Sequence, residues 1–289
     1  MNLIVKFKNV LREMRVSEWY RNVYVFFPLL LSGHISIPNI IVLLLGYFTL
    51  SFTSSIVYIV NDIHDIDVDK KHPTKKNRPL ASGALSLQET VFIAAVLSVI
   101  VCAMVIMMES TAFAYIVAGV LAINMIYTNI GKRIPFVEFA LLGSLYILRT
   151  ASGFLLLSLP VPIFLAVTMF FLTVFMYAVQ RLVELTKYGT SARSVLEKYS
   201  KGMLKKFLII ILMAAVISYY LTVSFVTGPI LYTEALLVFV LVYINELITS
   251  ETKLVTITDS LPRIILSNKI LLIAFALLIF FIILFNFVR

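Results

Sequence analysis

Charge is scarce in this chain. Only 13% of its 289 residues are Asp, Glu, Lys or Arg, against roughly 25% in a soluble globular protein. That leaves little material for a water-facing domain. Cysteine is nearly absent: Cys102 stands alone, which excludes a disulfide within the chain and a cysteine metal cluster. Set inside an apolar run, it reads as a small packing residue. The three histidines, His34, His64 and His72, are scattered and match no zinc spacing. The N-terminal stretch MNLIVKFKNVLREMRVSEW lacks a long apolar core, so no cleavable signal peptide is expected there.

Apolar side chains are what the sequence has in abundance. Hydrophobic residues make up 61%, and the mean hydropathy is +1.02. A membrane span needs about 20 mostly apolar residues. The apolar runs, separated by polar breaks, predict nine spans, at 20–33, 38–60, 88–108, 111–129, 136–157, 162–186, 204–223, 230–248 and 269–287. The first is short and carries Pro28. The expected fold is all-α: a polytopic membrane protein forming one domain over 1–289.

The basic residues orient it. Of 24 Lys and Arg residues, all but Arg149 and Arg289 lie in the N-terminal segment, in alternate breaks or at the span ends beside them. Those breaks include the loops 61–87, 130–135, 187–203 and 249–268. Positive charge marks the cytoplasmic side. The N-terminus is therefore expected inside and the C-terminus opposite, in a cell membrane. The net charge of +9 reflects this asymmetry and does not imply nucleic acid. The opposite loops are only a few residues long, so any chemistry belongs on the cytoplasmic side.

The densest charge is in NDIHDIDVDKKHPTKKNRPLASG, residues 61–83. On a helix at about 100° per residue, Asn61, Asp62, Asp65 and Asp69 fall within an arc of about 100°, and Asp67 falls outside it. Oxygen-bearing side chains so crowded repel one another unless a cation sits among them. Hard oxygen ligands suit Mg²⁺, which takes one or two carboxylates plus substrate phosphates. Lys75, Lys76 and Arg78 follow as donors to phosphate oxygens. The bland alternative is a solvated loop of mixed charge. The arc begins within about a turn of the apolar helix, where ionisable groups usually mark function.

A second constellation closes the sixth span, in YAVQRLVELTKYG. Tyr177, Arg181, Glu184 and Tyr188 share one helical face by spacings of three and four. An arginine there can grip phosphate in a planar, bidentate way, or simply form a helix-end salt bridge with Glu184. Arg149, inside the fifth span, either meets phosphate near a cavity or pairs structurally.

At these residues the chain resembles the UbiA superfamily of membrane prenyltransferases. The superfamily's first motif, Asn-Asp-x-x-Asp-x-x-x-Asp, is matched by Asn61, Asp62, Asp65 and Asp69. Within it, DKKHPTKKNRPLASG is similar to the decaprenyl-phosphate phosphoribosyltransferase branch, with His72, Pro73, Thr74, Lys75, Arg78, Pro79 and Gly83 in place. SEWYRNVYVFFPLLLSG, with Trp19, Asn22 and Pro28, resembles the branch's entry segment. YTNIGKRIPFVEFALLGSLYILRTASG resembles its fourth-to-fifth region, with Tyr127, Lys132, Pro135, Arg149 and Gly153. Four positions depart from the branch: Gln180 replaces a lysine, Glu138 an aspartate, and Asn268 with Lys269 an Asp-Arg pair.

The resemblance implies a UbiA-like helical bundle that transfers 5-phosphoribosyl from phosphoribosyl pyrophosphate to a polyprenyl phosphate lipid and releases diphosphate. It implies Asp62, Asp65 and Asp69 as metal and catalytic residues. Asn22, Asn61, Lys75, Lys76, Arg78, Tyr127, Lys132, Arg149, Tyr177, Arg181 and Glu184 are then expected to bind substrate. Two other readings stay open. One is a polyprenyltransferase acting on an aromatic acceptor, which fits the first motif but not the missing second Asp-rich motif. The other is a non-enzymatic transporter or assembly factor.

Overall fold

The computed structural model of the chain describes residues 3–32, 35–71 and 75–225. Every regular element in them is helical. In chain order these are α1 (Leu3–Glu13), a 3₁₀ segment (Val16–Phe26), α2 (Phe27–Ser32), α3 (Ile37–His64), α4 (Ile66–Lys71), α5 (Leu87–Met107), α6 (Thr111–Asn129), α7 (Val137–Leu156), α8 (Ile163–Tyr188) and α9 (Lys201–Phe225). Short 3₁₀ turns occupy Lys75–Asn77, Gly131–Arg133, Gly189–Ala192 and Ser194–Lys198.

Among the described residues six helices, α3 and α5 to α9, are long and apolar enough to cross a bilayer. They coincide, within a few residues, with the expected second to seventh spans. The first expected span, 20–33, is not one long helix: its described residues, 20–32, hold the end of the 3₁₀ segment and the six-residue α2. Arg21 and Glu18 pair across one turn at 2.6 Å in this segment, and Pro28 cannot supply a backbone donor. The eighth and ninth spans, the loop 249–268, Asn268 and Lys269 lie outside the described residues. So do His34, His72, Pro73 and Thr74.

The chain packs as two compact units. One comprises the described residues of Met1–Phe27, Ile35–Asn129 and Ala151–Pro160; the other comprises the described residues of Pro28–His34, Ile130–Thr150 and Val161–Arg289.

In the first unit α3 is the axis. Ser36 caps it by accepting the Asn39 N–H at 3.3 Å, and Pro38 sits in its first turn, where no donor is missed. Its middle is rich in small hydroxyl residues. Thr49, Ser51, Thr53 and Ser55 are fully buried. Thr49, Thr53, Ser54 and Ser55 donate back to the carbonyl four residues earlier, at 2.8–3.0 Å. A membrane offers such hydroxyls no water, so an acceptor within the helix spares the cost of a bare donor. Small residues also let neighbouring helices approach. Gly46 is one such point, because an added Cβ would lie 2.5 Å from Leu156 Cδ1. The 3₁₀ segment docks on α3 through Trp19 and Asn22. The Trp19 indole N–H donates to Ser55 Oγ at 3.0 Å, and the Asn22 amide to Ser51 Oγ at 3.1 Å.

In the second unit α8 and α9 pack as the main pair. Phe139, Val174, Phe175, Ala178, Leu182, Leu196, Leu204 and Leu208 are buried together. Gly143 fits because Phe170 and Val174 leave under 3 Å for any Cβ. The hydroxyls of Thr168 and Ser218 meet between α8 and α9 at 3.2 Å.

Candidate active site

Each unit carries its own buried group of charges. In the first unit α3 ends at His64. Asp65 leaves the helical conformation, although its N–H still reaches Asn61 O at 2.9 Å, and α4 restarts at Ile66. The expected single helix through 61–69 is therefore bent at Asp65. The bend still puts Asp62 and Asp69 on the same side. Both are buried, and both accept from one guanidinium nitrogen, Arg78 Nη1, at 2.9 Å and 2.5 Å. Arg15 adds a second cation on Asp62 Oδ1 at 2.6 Å. Lys75 Nζ lies 3.6 Å from Asp69 Oδ1.

Arg15 reaches Asp62 through an unusual backbone. It adopts a left-handed conformation, φ 50°, which a non-glycine residue accepts only when its surroundings enforce it. Its guanidinium also stands over the Tyr58 ring, 4.5 Å from the centroid. Glu13 is a third buried carboxylate. It is 1% exposed, accepts the Leu80 N–H through Oε2 at 3.3 Å, and has no hydrogen-bond partner on Oε1. Burial, and then the Asp62 charge, push its pKa up to about 7. The sign follows. The unfolded chain releases this proton near 4.5 and the folded chain near 7, so wild-type stability falls as pH rises through that window. In detergent, the Glu13→Gln protein is expected to lose less melting temperature than wild type between pH 4.5 and 7. Parallel melting curves for the two would contradict this ionisation.

The donor set of Asp62 and Asp69 fits a hard divalent ion. Asp69 Oδ1 is buried and accepts no hydrogen bond, and two carboxylates side by side with cationic neighbours match a site shared between metal and phosphate. Among the described residues no group of three or more His, Cys, Asp or Glu is gathered in a metal-holding arrangement. The half-buried Asp65 lies at the bend. Asn61 and Lys75 are half-buried and Lys76 is exposed. Asn22 is buried against Ser51. Tyr127 and Lys132 are half-buried at the end of α6 and in the turn beyond it.

In the second unit Arg181 on α8 is the largest fully buried side chain among the described residues. It donates to both oxygens of Glu138 on α7, with Nη2 to Oε2 at 2.9 Å, and to Glu184 Oε2 at 3.0 Å. Arg193 Nε reaches the same Glu184 oxygen at 3.1 Å. The Tyr199 hydroxyl donates to Glu138 Oε1 at 3.2 Å and accepts the Phe136 N–H at 2.8 Å. Burial raises the Tyr199 pKa, so it remains a donor. Gln180 donates to Glu184 Oε1 at 3.4 Å. Tyr177 packs beside the apolar core. Arg149 is 5% exposed, with its guanidinium 4.9 Å from the Tyr146 ring centroid.

Sequence reasoning found the Arg181–Glu184 pair by its spacing of three. It missed Glu13, Arg15, Arg193 and Tyr199, and it treated Glu138 as a variation, although Glu138 is the main partner of Arg181.

The chain is thus an all-α, polytopic membrane protein with buried ion groups near helix ends. A family model, the UbiA prenyltransferase family, matches residues 23–253, and the chain belongs to that family. It is 26% identical over 219 residues to a decaprenyl-phosphate phosphoribosyltransferase of Corynebacterium glutamicum, covering 73% of this chain and 66% of that protein. It is 29% identical over 204 residues to the protein of the same name in Mycobacterium tuberculosis, covering 68% and 67%. The chain therefore matches about two thirds of these relatives' length. Among solved structures, a UbiA homologue from Archaeoglobus fulgidus bound to GPP and Mg²⁺ superposes with a TM-score of 0.74 at 18% identity, covering 97% of this chain and 98% of that one. That likeness concerns the fold.

Proposed function

We propose that this protein transfers the 5-phosphoribosyl group of phosphoribosyl pyrophosphate to a polyprenyl phosphate in the membrane, releasing diphosphate. The observation that carries the reading is the meeting of Asp62 and Asp69 on Arg78, in a chain similar to relatives named decaprenyl-phosphate phosphoribosyltransferase. A small, highly charged donor suits polar helix ends bearing Arg15, Lys75, Arg78 and Asp69.

Asp62 and Asp69, with Asp65 beside them, would hold Mg²⁺ on the donor's diphosphate. When bound, the ion neutralises charge on the leaving diphosphate. Arg78 and Lys75 then turn from their carboxylates toward phosphate oxygens, charge-assisted donors gaining where negative charge grows. The bond from the anomeric carbon to the diphosphate oxygen breaks, and the diphosphate keeps the electron pair. An oxygen of the lipid phosphate forms the new bond to that carbon. This nucleophile is already anionic near neutral pH, so no general base is required. Arg181 lies between Glu138 and Glu184, where a prenyltransferase of this superfamily is expected to carry a second pair of aspartates. Its role in this reading is to hold the start of α7 against the end of α8 through Glu138 and Glu184. Donor entry is cytoplasmic, in the orientation that the basic residues favour.

The experiment uses phosphoribosyl pyrophosphate labelled either in the sugar or in the diphosphate, with purified protein and polyprenyl phosphate. Sugar label is expected in the organic phase and diphosphate label in the aqueous phase. Neither label entering lipid would overturn the reading.

A further inference from the structure

Arg78 is the side chain that ties Asp62 to Asp69, yet it stands on an irregular tract rather than on a helix. Its own backbone is held from outside the tract. The two last residues of α1 grip the chain on either side of it. Arg12 Nη2 donates to Asn77 O at 3.1 Å, one residue before Arg78. Glu13 Oε2 accepts the Leu80 N–H at 3.3 Å, two residues after it. Two residues further along, Arg15 takes Asp62 directly at 2.6 Å. Within the tract, the Arg78 carbonyl accepts the Ser82 N–H at 2.9 Å and the Leu85 N–H reaches Pro79 O at 3.0 Å. Gly83 turns the chain with φ +77°.

Glu13 is an expensive group to place there. It is 1% exposed, and Leu80 beside it is 3% exposed. A buried carboxyl with a bare oxygen costs stability, and an apolar residue at position 13 would avoid that cost. What the carboxyl supplies is an acceptor for a backbone N–H that would otherwise be buried without a partner.

We propose that Arg12 and Glu13 form a clamp, with Glu13 the main positioning residue, that fixes the 77–80 backbone and so sets where the Arg78 guanidinium stands. This deepens the phosphoribosyl-transfer reading and, in its kinetic part, rests on it. The clamp itself is a claim about the tract's order and can be read without turnover.

The test uses full-length protein in detergent and three variants: Glu13→Ala, Glu13→Gln and Arg12→Ala. The first readout is trypsin cleavage at Lys75 and Lys76. Cleavage is expected about 10-fold faster in Glu13→Ala and measurably faster in Arg12→Ala, a local opening worth about 1.4 kcal/mol. Glu13→Gln keeps an amide oxygen for the Leu80 N–H and is expected to cleave at nearly the wild-type rate. The second readout is kinetic: Glu13→Ala lowers kcat/KM for phosphoribosyl pyrophosphate about 10-fold, with kcat falling because Arg78 acts on the leaving diphosphate, and Glu13→Gln restores kcat/KM. Emission of Trp19, the single tryptophan, checks folding. If Glu13→Ala unfolds, the exposed Arg12→Ala carries the test alone. Unchanged cleavage in the folded Ala variants would overturn the clamp. So would a Gln variant as open as the Ala variant, or, in an enzyme that uses phosphoribosyl pyrophosphate, a faster-cleaved variant with unchanged kcat/KM. If the wild type does not use phosphoribosyl pyrophosphate, that reading fails by itself and the cleavage result still decides the clamp.

Discussion

Arg181→Ala is expected to be the most destabilising single substitution in the described residues. Removing the guanidinium leaves the charge of Glu138, which has no exposed surface, to the neutral Tyr199 hydroxyl, and leaves Glu184 with Arg193 as its remaining guanidinium partner. Breaking a buried ion pair from one side costs about 3–5 kcal/mol, because the charge left behind keeps its desolvation penalty. The effect concerns folding before it concerns anion binding. A steep fall in apparent melting temperature in detergent, largely relieved by adding Glu138→Gln, is the expected result, since the second change removes the stranded charge. An Arg181→Ala protein that melts like wild type would show that the group is not the support it appears in the geometry. Arg181→Lys should fall between, since one ammonium cannot reproduce a bidentate grip on Glu138 together with a bond to Glu184.

The Asp62→Asn and Asp69→Asn proteins are expected to do the opposite: to stay folded and stop working. An amide oxygen still accepts from Arg78, so the packing of the tract survives. The negative charge that would hold a divalent ion does not. Turnover is expected to fall on the order of 100-fold or more, the scale on which losing a transition-state electrostatic contact is felt. Chelation of divalent ions should produce a loss in wild type that Mg²⁺ reverses. Variants that turn over at the wild-type rate, or turnover indifferent to chelation, would remove the metal from the account.

How much of this was legible before the structure depends on the distance over which each feature acts. The spans α3 and α5 to α9 were legible because an apolar run of about 20 residues has few alternatives in a membrane. The N-terminal boundary was not, because 20–33 mixes aromatic residues with Arg21 and Pro28, and a 3₁₀ segment leaves no periodic mark that separates it from a short helix. The Arg181–Glu184 pair was legible because i and i+3 must neighbour on any helix. Its stronger partner Glu138 was not: it sits 43 residues away on α7, and no local pattern joins them. The same holds for Arg15 and Asp62, 47 residues apart. Asp62, Asp65 and Asp69 were expected on one continuous face. The break at Asp65 could not be read from helical spacing, which assumes that the helix goes on.

The central claim is the identity of the donor, and a two-donor competition in one preparation tests it most directly. Purified protein in detergent with polyprenyl phosphate and Mg²⁺ receives labelled phosphoribosyl pyrophosphate, then the same with a labelled prenyl diphosphate and an aromatic acceptor. Label from phosphoribosyl pyrophosphate should enter the lipid fraction with stoichiometric diphosphate release, while the prenyl diphosphate is left unconsumed. Consumption of the prenyl diphosphate with phosphoribosyl pyrophosphate untouched would contradict the account and make the protein a prenyltransferase acting on an aromatic acceptor.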